Sequence, residues 1–377
     1  MSHISPAKKY HGLTSRAELA YERYTVGIVC ALEFEMSALR YMLDKEHARL
    51  PRKHGDSNMY ILGELSGHNV ILASLPGSQG KSAAAAVAKD MSRSFPSIEL
   101  RLMVGIGGGV PSERNDIRLG DVVVSMPDGQ HGGVVQYDLI KNTDNGIILK
   151  GFLWPPPEIL RSAVCIMQSD HRVSQNRIPE FMSAIFQKGD NLRVAYQRPV
   201  EPDELFQSIY RHVRKHETCQ RCDKTRLVHR PARRPIPKIH YGLIASGDQV
   251  VKSASNAAEI NRRVNGDILC FEMEAAGIAT EYSCIAIRGI SDYADSHKSD
   301  SWQHYAAAAA AGCAKELLSY VSPRQHFTTT EAFGRHGPDL FAGRRLAAQS
   351  VFRGQGVQNS GSGNVSVGRN LYINSGR

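Results

Sequence analysis

Two carboxylates give the first clue to chemistry in this chain. Glu274 lies in Cys270-Phe-Glu-Met-Glu-Ala-Ala-Gly-Ile, where a β-branched and aromatic run stops and small residues at helical spacing begin, so it sits where a strand enters a helix. Asp292 lies in Ile285-Ala-Ile-Arg-Gly-Ile-Ser-Asp-Tyr-Ala-Asp, where an apolar strand runs into a polar turn at its carboxyl end. In open α/β sheets that edge is where ligands bind. Two acids delivered to one rim by neighbouring strands suit sugar binding and proton transfer, one holding hydroxyls while the other donates a proton. The competing reading is a pair of helix N-caps.

The elements that must position these acids read as alternating strands and helices. Thr25-Val-Gly-Ile-Val-Cys-Ala is a buried strand, and the apolar spacing from Leu32 to Leu43 makes a helix after it. Residues 58–65 and 68–75 form a hairpin about Ser66-Gly67, and Gly80 opens an Ala-rich helix. Short strands follow at Arg101 to Ile106 and Asp121 to Ser125, separated by Gly107-Gly-Gly-Val-Pro and a polar stretch. The sheet resumes at Ile239, continues through Ile268 to Phe271 and Cys284 to Ile290, and closes with a long Ala-rich helix from about Trp302 to Tyr320. This order predicts a three-layer α/β domain with a mixed, largely parallel sheet.

Between Asp128 and Lys238 the periodicity weakens, which reads as an insertion with amphipathic stretches near Ile159 to Gln168 and Glu204 to Val213. The expected organisation is an arm at 1–23, a catalytic domain at 24–322 with the insertion at about 128–238, a linker at 323–350 and a tail at 351–377. The tail is rich in Gly, Ser and Asn and cannot build a globular core. Asn-Ser-Gly recurs at Asn359 and Asn374, and Val365, Val367, Leu371 and Ile373 alternate with polar residues, a pattern for stacked strands with Asn ladders. A disordered tail is the competing expectation.

No apolar run approaches the roughly 20 residues of a membrane span, and Met1 to Glu22 has no signal-peptide core, so a cytoplasmic location is expected. Seven scattered cysteines imply no disulfide framework. The formal charge of +9 is uneven: Arg211 to Lys238 holds ten Lys or Arg against Glu217 and Asp223, which points to an anionic partner such as a phosphorylated small substrate or, equally, to a solvated loop. Nucleic acid is disfavoured, because aromatics for base stacking and a reading helix are both missing there. Within this stretch Cys219-Gln-Arg-Cys222 is flanked by His212, His216 and His229, all ligand types for zinc. A single Cys-x-x-Cys without a second pair at standard spacing does not establish a metal site, and no metal is assigned; the ligands such a site would use are Cys219, Cys222, His216 and His229.

Three blocks, Val26-Gly-Ile-Val-Cys-Ala-Leu-Glu-Phe-Glu-Met, Gly242-Leu-Ile-Ala-Ser-Gly-Asp, and Phe271-Glu-Met-Glu-Ala-Ala with Ile290-Ser-Asp-Tyr-Ala-Asp, together resemble the purine nucleoside phosphorylase and methylthioadenosine/adenosylhomocysteine nucleosidase superfamily. Val104-Gly-Ile-Gly-Gly-Gly and Leu119-Gly-Asp-Val-Val-Val-Ser support the match, which covers about Tyr24 to Val321. Within it the chain looks most like the nucleosidase effector domain of fungal NLR-type proteins, and the tail resembles the amyloid-type signalling motif found beside such domains.

The resemblance implies an αβα nucleoside phosphorylase-like fold and cleavage of a purine N-glycosidic bond without a cofactor. It implies Asp292 as the general acid at purine N7, Ser291 orienting it, Glu274 on the ribose hydroxyls and Met273 against the sugar. Glu35 falls where nucleosidases keep the carboxylate that activates water. Phosphorylases usually have Gly-Asp-Pro-x-Arg in that turn; this chain has Ala31-Leu-Glu-Phe-Glu, which favours hydrolysis. Phe271, Glu272, Asp248, Val250, Ile106 and Gly107 complete the implied substrate site. Val250 stands where an aromatic commonly stacks on the base, and the loop at Ile106 is expected to offer backbone amides. Arg114 and the insertion's cations suggest a phosphorylated substrate, ATP included. Phosphorolysis, or a catalytically inactive assembly module acting through the tail, are the alternatives. A homo-oligomer and an NLR partner are the partners the resemblance implies.

Overall fold

The computed structural model describes residues 19–144, 146–213 and 218–323, and six residues of the tail, Val357–Asn359 and Val365–Val367. The chain divides into two units, Met1–Arg324 and Gln325–Arg377. In the first, β1 (Val26–Cys30) leads into α1 (Glu33–Met42), and β2 (Lys45–Glu46) precedes the hairpin of β3 (Ile61–Leu65) and β4 (His68–Ser74). Next come α2 (Lys81–Ser94), β5 (Leu100–Gly109), β6 (Val122–Ser125), β7 (Val134–Gln136), β8 (Ile140–Thr143) and β9 (Gly146–Leu149). Three helices follow: α3 (Glu158–Asp170), α4 (Ile178–Phe186) and α5 (Asp190–Tyr196). The unit ends with β10 (Ile239–Ser246), α6 (Ala254–Val264), β11 (Ile268–Glu272), α7 (Ala275–Ala279), β12 (Ile285–Tyr293) and α8 (Gln303–Ser319).

Every residue of β1 is buried, as a strand between two parallel neighbours in a covered sheet requires. Its side chains alternate between two apolar layers. Val26, Ile28 and Cys30 face the core shared with α1, α3, α4 and α8, while Val29 faces the one shared with α2 and α7. This is the expected three-layer αβα arrangement, in which α1 buries Glu35, Ala38, Leu39 and Met42 at helical spacing. The hairpin turns at Ser66-Gly67 with φ of 51° and 81°, which suits a glycine at the second position.

The main sheet runs β11-β10-β6-β12-β5-β1-β4-β3-β2, with β7 added on β10. Most pairs are parallel; β12–β6, β11–β5 and the β2–β3–β4 edge are antiparallel. The sheet is not open as the carboxylate argument assumed. β5 pairs with both β12 and β11, so β5, β12, β6, β10 and β11 close on themselves. Closure depends on glycines that the sequence reading took for a turn. Gly108 and Gly109 lie opposite Phe271 and Cys270, and a Cβ on Gly107 would sit 2.9 Å from the Phe271 carbonyl oxygen. On the other side of the sheet, α8 lies against β12 because Gly289 has no Cβ; one there would come within 1.9 Å of the Ala306 carbonyl oxygen. Ala306 to Ala311 are all buried in that contact.

The stretch read as an insertion packs into the core of the domain. Leu160, Val164, Ile178, Ile185 and Tyr196 share one core with α8. The amphipathic stretch at Ile159 to Gln168 is α3, but Glu204 to Val213 forms turns and an isolated bridge from Phe206 to Leu227 rather than a helix. Much of the basic charge is answered inside the molecule: Arg233 pairs with buried Asp121, Arg230 with Asp203 at 2.9 Å, and Lys224 with Glu204. Asp121 also receives His240 at 3.0 Å, tying the end of the insertion to β10. Among the described residues no helix is long and apolar enough to cross a membrane.

In the second unit β13 (Val357–Asn359) and β14 (Val365–Val367) pair antiparallel, with Val357 opposite Val367. The expected continuation through Leu371 and Ile373, and the arm before residue 19, lie outside the described residues.

Candidate active site

A cavity of about 340 Å³ opens where β1, β5, β11 and β12 end, a size within the range of small-ligand sites. Glu35 enters it from the first turn of α1 and Ile106 and Gly107 from β5. Phe271, Glu272, Met273 and Glu274 come from the β11–α7 junction, and Arg288, Ser291 and Asp292 from β12. Glu35, Glu274 and Asp292 therefore share one cavity, each at most 4% exposed.

Glu35 is locked by three backbone donors. Its Oε2 accepts the N–H groups of Ala31 (2.8 Å) and Leu32 (2.9 Å), and its Oε1 accepts that of Ile106 (2.8 Å). The bond to Leu32 reaches back from the third helical position to the N-cap, so the same carboxylate caps α1. Each oxygen of a carboxylate has two acceptor sites, so Oε1 keeps one for a ligand. Burial raises the Glu35 pKa, against the opposing pull of Arg288 and the three N–H groups. The Ile106 amide is thus spent on Glu35 rather than offered to substrate, a correction to the expectation for that loop.

Arg288 sits beneath these acids, 1% exposed, and its Nη2 pairs with Glu272 and lies 3.5 Å from Glu274. A Cβ on Gly105 would be 2.5 Å from Glu35 Oε1 and 2.7 Å from Arg288 Nη1, so glycine at this point of β5 lets the acid and the guanidinium approach. Burial opposes the Arg288 charge, but Glu272, Glu274 and Glu35 outweigh it and raise its pKa. Three carboxylates around one cation cannot all ionise cheaply. The site answers by holding a proton near Glu274, whose pKa burial pushes up to about 7, with Glu272 and Glu35 adding to the rise and Arg288 opposing it.

Capping of α7 falls to Glu272, which accepts the N–H groups of Glu274 (3.1 Å) and Ala275 (2.9 Å). Glu274 occupies the N-cap position but its side chain points elsewhere, accepting the Gly80 N–H at 3.2 Å across the cavity wall. The N-cap alternative for the two acids therefore does not describe their side chains. Asp292 lies inside β12, at a bulge between Ile290 and Asp292, rather than in a turn beyond it. Its Oδ2 accepts Ser291 Oγ (2.8 Å) and Lys298 Nζ (3.0 Å). Its Oδ1 is buried with no hydrogen-bond partner among the described residues and faces Gly108, whose Cβ would stand 3.0 Å away. Burial raises the Asp292 pKa, opposed by Lys298 and Ser291.

Two expected substrate residues are elsewhere. Arg114 lines a separate cavity with Asn261, Asn265 and Asp267. Asp248 is exposed, accepts the Lys81 N–H at 2.9 Å and does not line the main cavity, although Val250 beside it does while half-exposed. The cations that do face the cavity, Arg288, Lys298 and Lys252, were not singled out from sequence. A lone arginine within the apolar run of β12 was the available signal for Arg288, since a buried charge requires a buried partner. Of the expected zinc ligands, Cys219 and Cys222 come together with His212 rather than His229, and His216 lies outside the described residues.

Residues 182–321 match the sequence model of the phosphorylase superfamily, a stretch that contains Glu274 and Asp292 but not Glu35. A nucleotide-binding leucine-rich repeat (NLR)-like protein of Hyaloscypha variabilis is 40% identical over 311 residues. That alignment covers 82% of this chain and 30% of the relative, so the chain spans less than a third of its length. Among solved structures, the 5′-methylthioadenosine/S-adenosylhomocysteine nucleosidase of Colwellia psychrerythraea in complex with adenine superposes with a TM-score of 0.52. It is 19% identical and is matched over 80% of this chain and 98% of that one. The corresponding nucleosidase of Neisseria meningitidis, in complex with methylthio-immucillin-A, gives 0.50 at 21% identity, over 79% and 99%. At these identities the likeness is one of fold.

Proposed function

We propose, from the match of residues 182–321 to the phosphorylase superfamily, that this chain is a purine nucleosidase that hydrolyses the N-glycosidic bond of a nucleoside or nucleotide. The observation that carries this reading is the meeting of Glu35, Glu274 and Asp292 in one cavity, with one oxygen of Asp292 held by Ser291 and Lys298 and the other unpaired. Protonated Asp292 gives its proton to the departing purine. Glu35 takes a proton from a water that attacks the anomeric carbon, and ionised Glu274 accepts the sugar hydroxyls. The products are the free base and the ribosyl sugar, and no redox or group-transfer partner is needed. Raised pKa values at Asp292 and Glu35 favour both roles, since acid and base catalysis are most effective near the operating pH.

Hydrolysis is favoured over phosphorolysis because Arg288, the buried cation of the site, is engaged by Glu272 and Glu274. Lys252 at the cavity supports a phosphorylated substrate, and ATP is the specific proposal, with the chain acting as the effector portion of a cytoplasmic NLR-type protein, as a dimer or larger assembly. The pairing of β13 with β14 supports a second reading, in which the tail assembles chains or recruits an NLR partner. Purified protein incubated with ATP, adenosine and methylthioadenosine, with and without phosphate, is expected to release adenine in phosphate-free buffer. Ribose 1-phosphate formed only with phosphate would replace the proposal by phosphorolysis, and no adenine from any substrate would end it.

A further inference from the structure

Outside the cavity, residues 206–213 and 218–222 fold against the loop that follows β12 and gather a second group of reactive side chains. Ligand atoms of His212, Cys219 and Cys222 lie within 4.8 Å of one another, and none of the cysteines is in a disulfide. The Cys-x-x-Cys spacing, the nitrogen–sulfur donor set and this closeness suit a tetrahedral ion with Zn–S of about 2.3 Å and Zn–N of about 2.0–2.1 Å. An independent observation points the same way. The His297 side chain is 4% exposed, yet neither ring nitrogen has a hydrogen-bond partner among the described residues; Asp295 Oδ1 is 3.6 Å from Nδ1, too far to serve. A buried imidazole left unpaired is costly. It packs flat on Phe206 with ring centres 4.2 Å apart and meets the His212 ring edge-on at 5.5 Å. Two imidazoles on one tetrahedral zinc have ring centres roughly 5 Å apart at such bond lengths.

We propose that His212, Cys219 and Cys222 form a structural zinc site that staples the basic segment to the loop after β12, with His297, whose ring nitrogens lie outside that close group, turning in as the fourth ligand. The site explains the unpaired imidazole and the two adjacent buried or half-buried thiols at once. Its place gives it a consequence for the cavity. The His212 N–H donates to Ser296 Oγ at 3.0 Å, and the next residues include Lys298, whose ammonium holds Asp292 Oδ2. A metal bound here fixes the backbone from which Lys298 reaches the acid.

The 377-residue chain, stripped with chelator and dialysed against Zn²⁺, is expected to retain one zinc per chain by elemental analysis. Co²⁺ in its place is expected to give thiolate-to-metal charge-transfer bands and the intense visible bands of a tetrahedral site. Cys219→Ser, Cys222→Ser and His212→Ala are expected to weaken zinc binding at least tenfold, whereas His229→Ala and Cys165→Ser leave it unchanged. His297→Ala is expected to keep the charge-transfer bands but shift the visible ones as water takes its place. Chelation followed by zinc re-addition reads the same site reversibly without relying on variants that fail to fold, and the melting temperature is expected to drop and recover. Failure to bind zinc or cobalt, binding that survives Cys219→Ser and Cys222→Ser, or a Cys219–Cys222 disulfide in the isolated protein would each overturn the assignment, whatever the outcome for nucleosidase activity.

Discussion

Replacing Asp292 by Asn separates proton donation from every other property of the site. The Asn carbonyl oxygen can keep both bonds now made by Oδ2, from Ser291 at 2.8 Å and Lys298 at 3.0 Å, and its amide occupies the place of the unpaired Oδ1. Shape and polarity are therefore retained, and the fold is expected to melt as the parent does or somewhat higher, because a buried acid with a raised pKa is replaced by a neutral group. The purine loses its proton donor. General acids contribute about 10²- to 10⁴-fold, or about 3 to 5 kcal/mol of barrier at ~1.4 kcal/mol per decade, so kcat for base release is expected to fall by that factor with little change in KM. The assay is chromatographic quantification of free adenine over a pH series. In the parent, activity falls on the alkaline side as Asp292 loses its proton, and that limb is expected to vanish in Asp292→Asn. A folded variant within tenfold of the parent, with the limb intact, would refute the assignment of Asp292 as acid.

Glu274 gives a pH signature in both stability and rate. Its folded carboxyl keeps a proton to about pH 7, whereas an unfolded glutamate releases it near ~4.3, so the folded state binds more protons between these values. Stability is expected to decline as pH rises through that window, and denaturant titrations of Glu274→Gln are expected to lose this part of the slope. If the ionised form holds the sugar, kcat/KM rises as pH climbs through about 7, and the Gln variant loses that rise. Gly289→Ala sets a Cβ within 1.9 Å of the Ala306 carbonyl oxygen and is expected to cost about 1–3 kcal/mol, read by chemical denaturation. Arg114→Ala, in its separate cavity, is expected to leave adenine release unchanged.

Most of the fold was legible because its segments have clear periods. The continuous apolar run of β1, the three- and four-residue spacing of α1 and the Ala stripe of α8 each specify one element. The shared rim of Glu274 and Asp292 followed from their places at strand ends, whereas Glu35 came only from the family resemblance. What sequence hid was the consequence of missing side chains and of distant charge. Gly107 to Gly109 look like a turn, yet they are the part of β5 that admits β11. Arg288 and its acids are 14 and 16 residues apart in sequence and become partners only when β12 and β11 meet at β5. The basic stretch looked like a surface for an external anion, but Asp121 and Asp203, more than twenty residues away, receive Arg233 and Arg230. α4 and α5 were missed because their short apolar patterns lie among Pro, Gly and charged residues.

The most direct measurement of the central claim is a crystal structure of the protein soaked with adenine. The base is expected in the cavity between Phe271 and Val250, with N7 within hydrogen-bond reach of Asp292 Oδ1 and the space between Glu35 and Glu274 left for the sugar. Adenine bound away from Asp292, or a cavity in which Glu35 and Asp292 face different chambers, would contradict it.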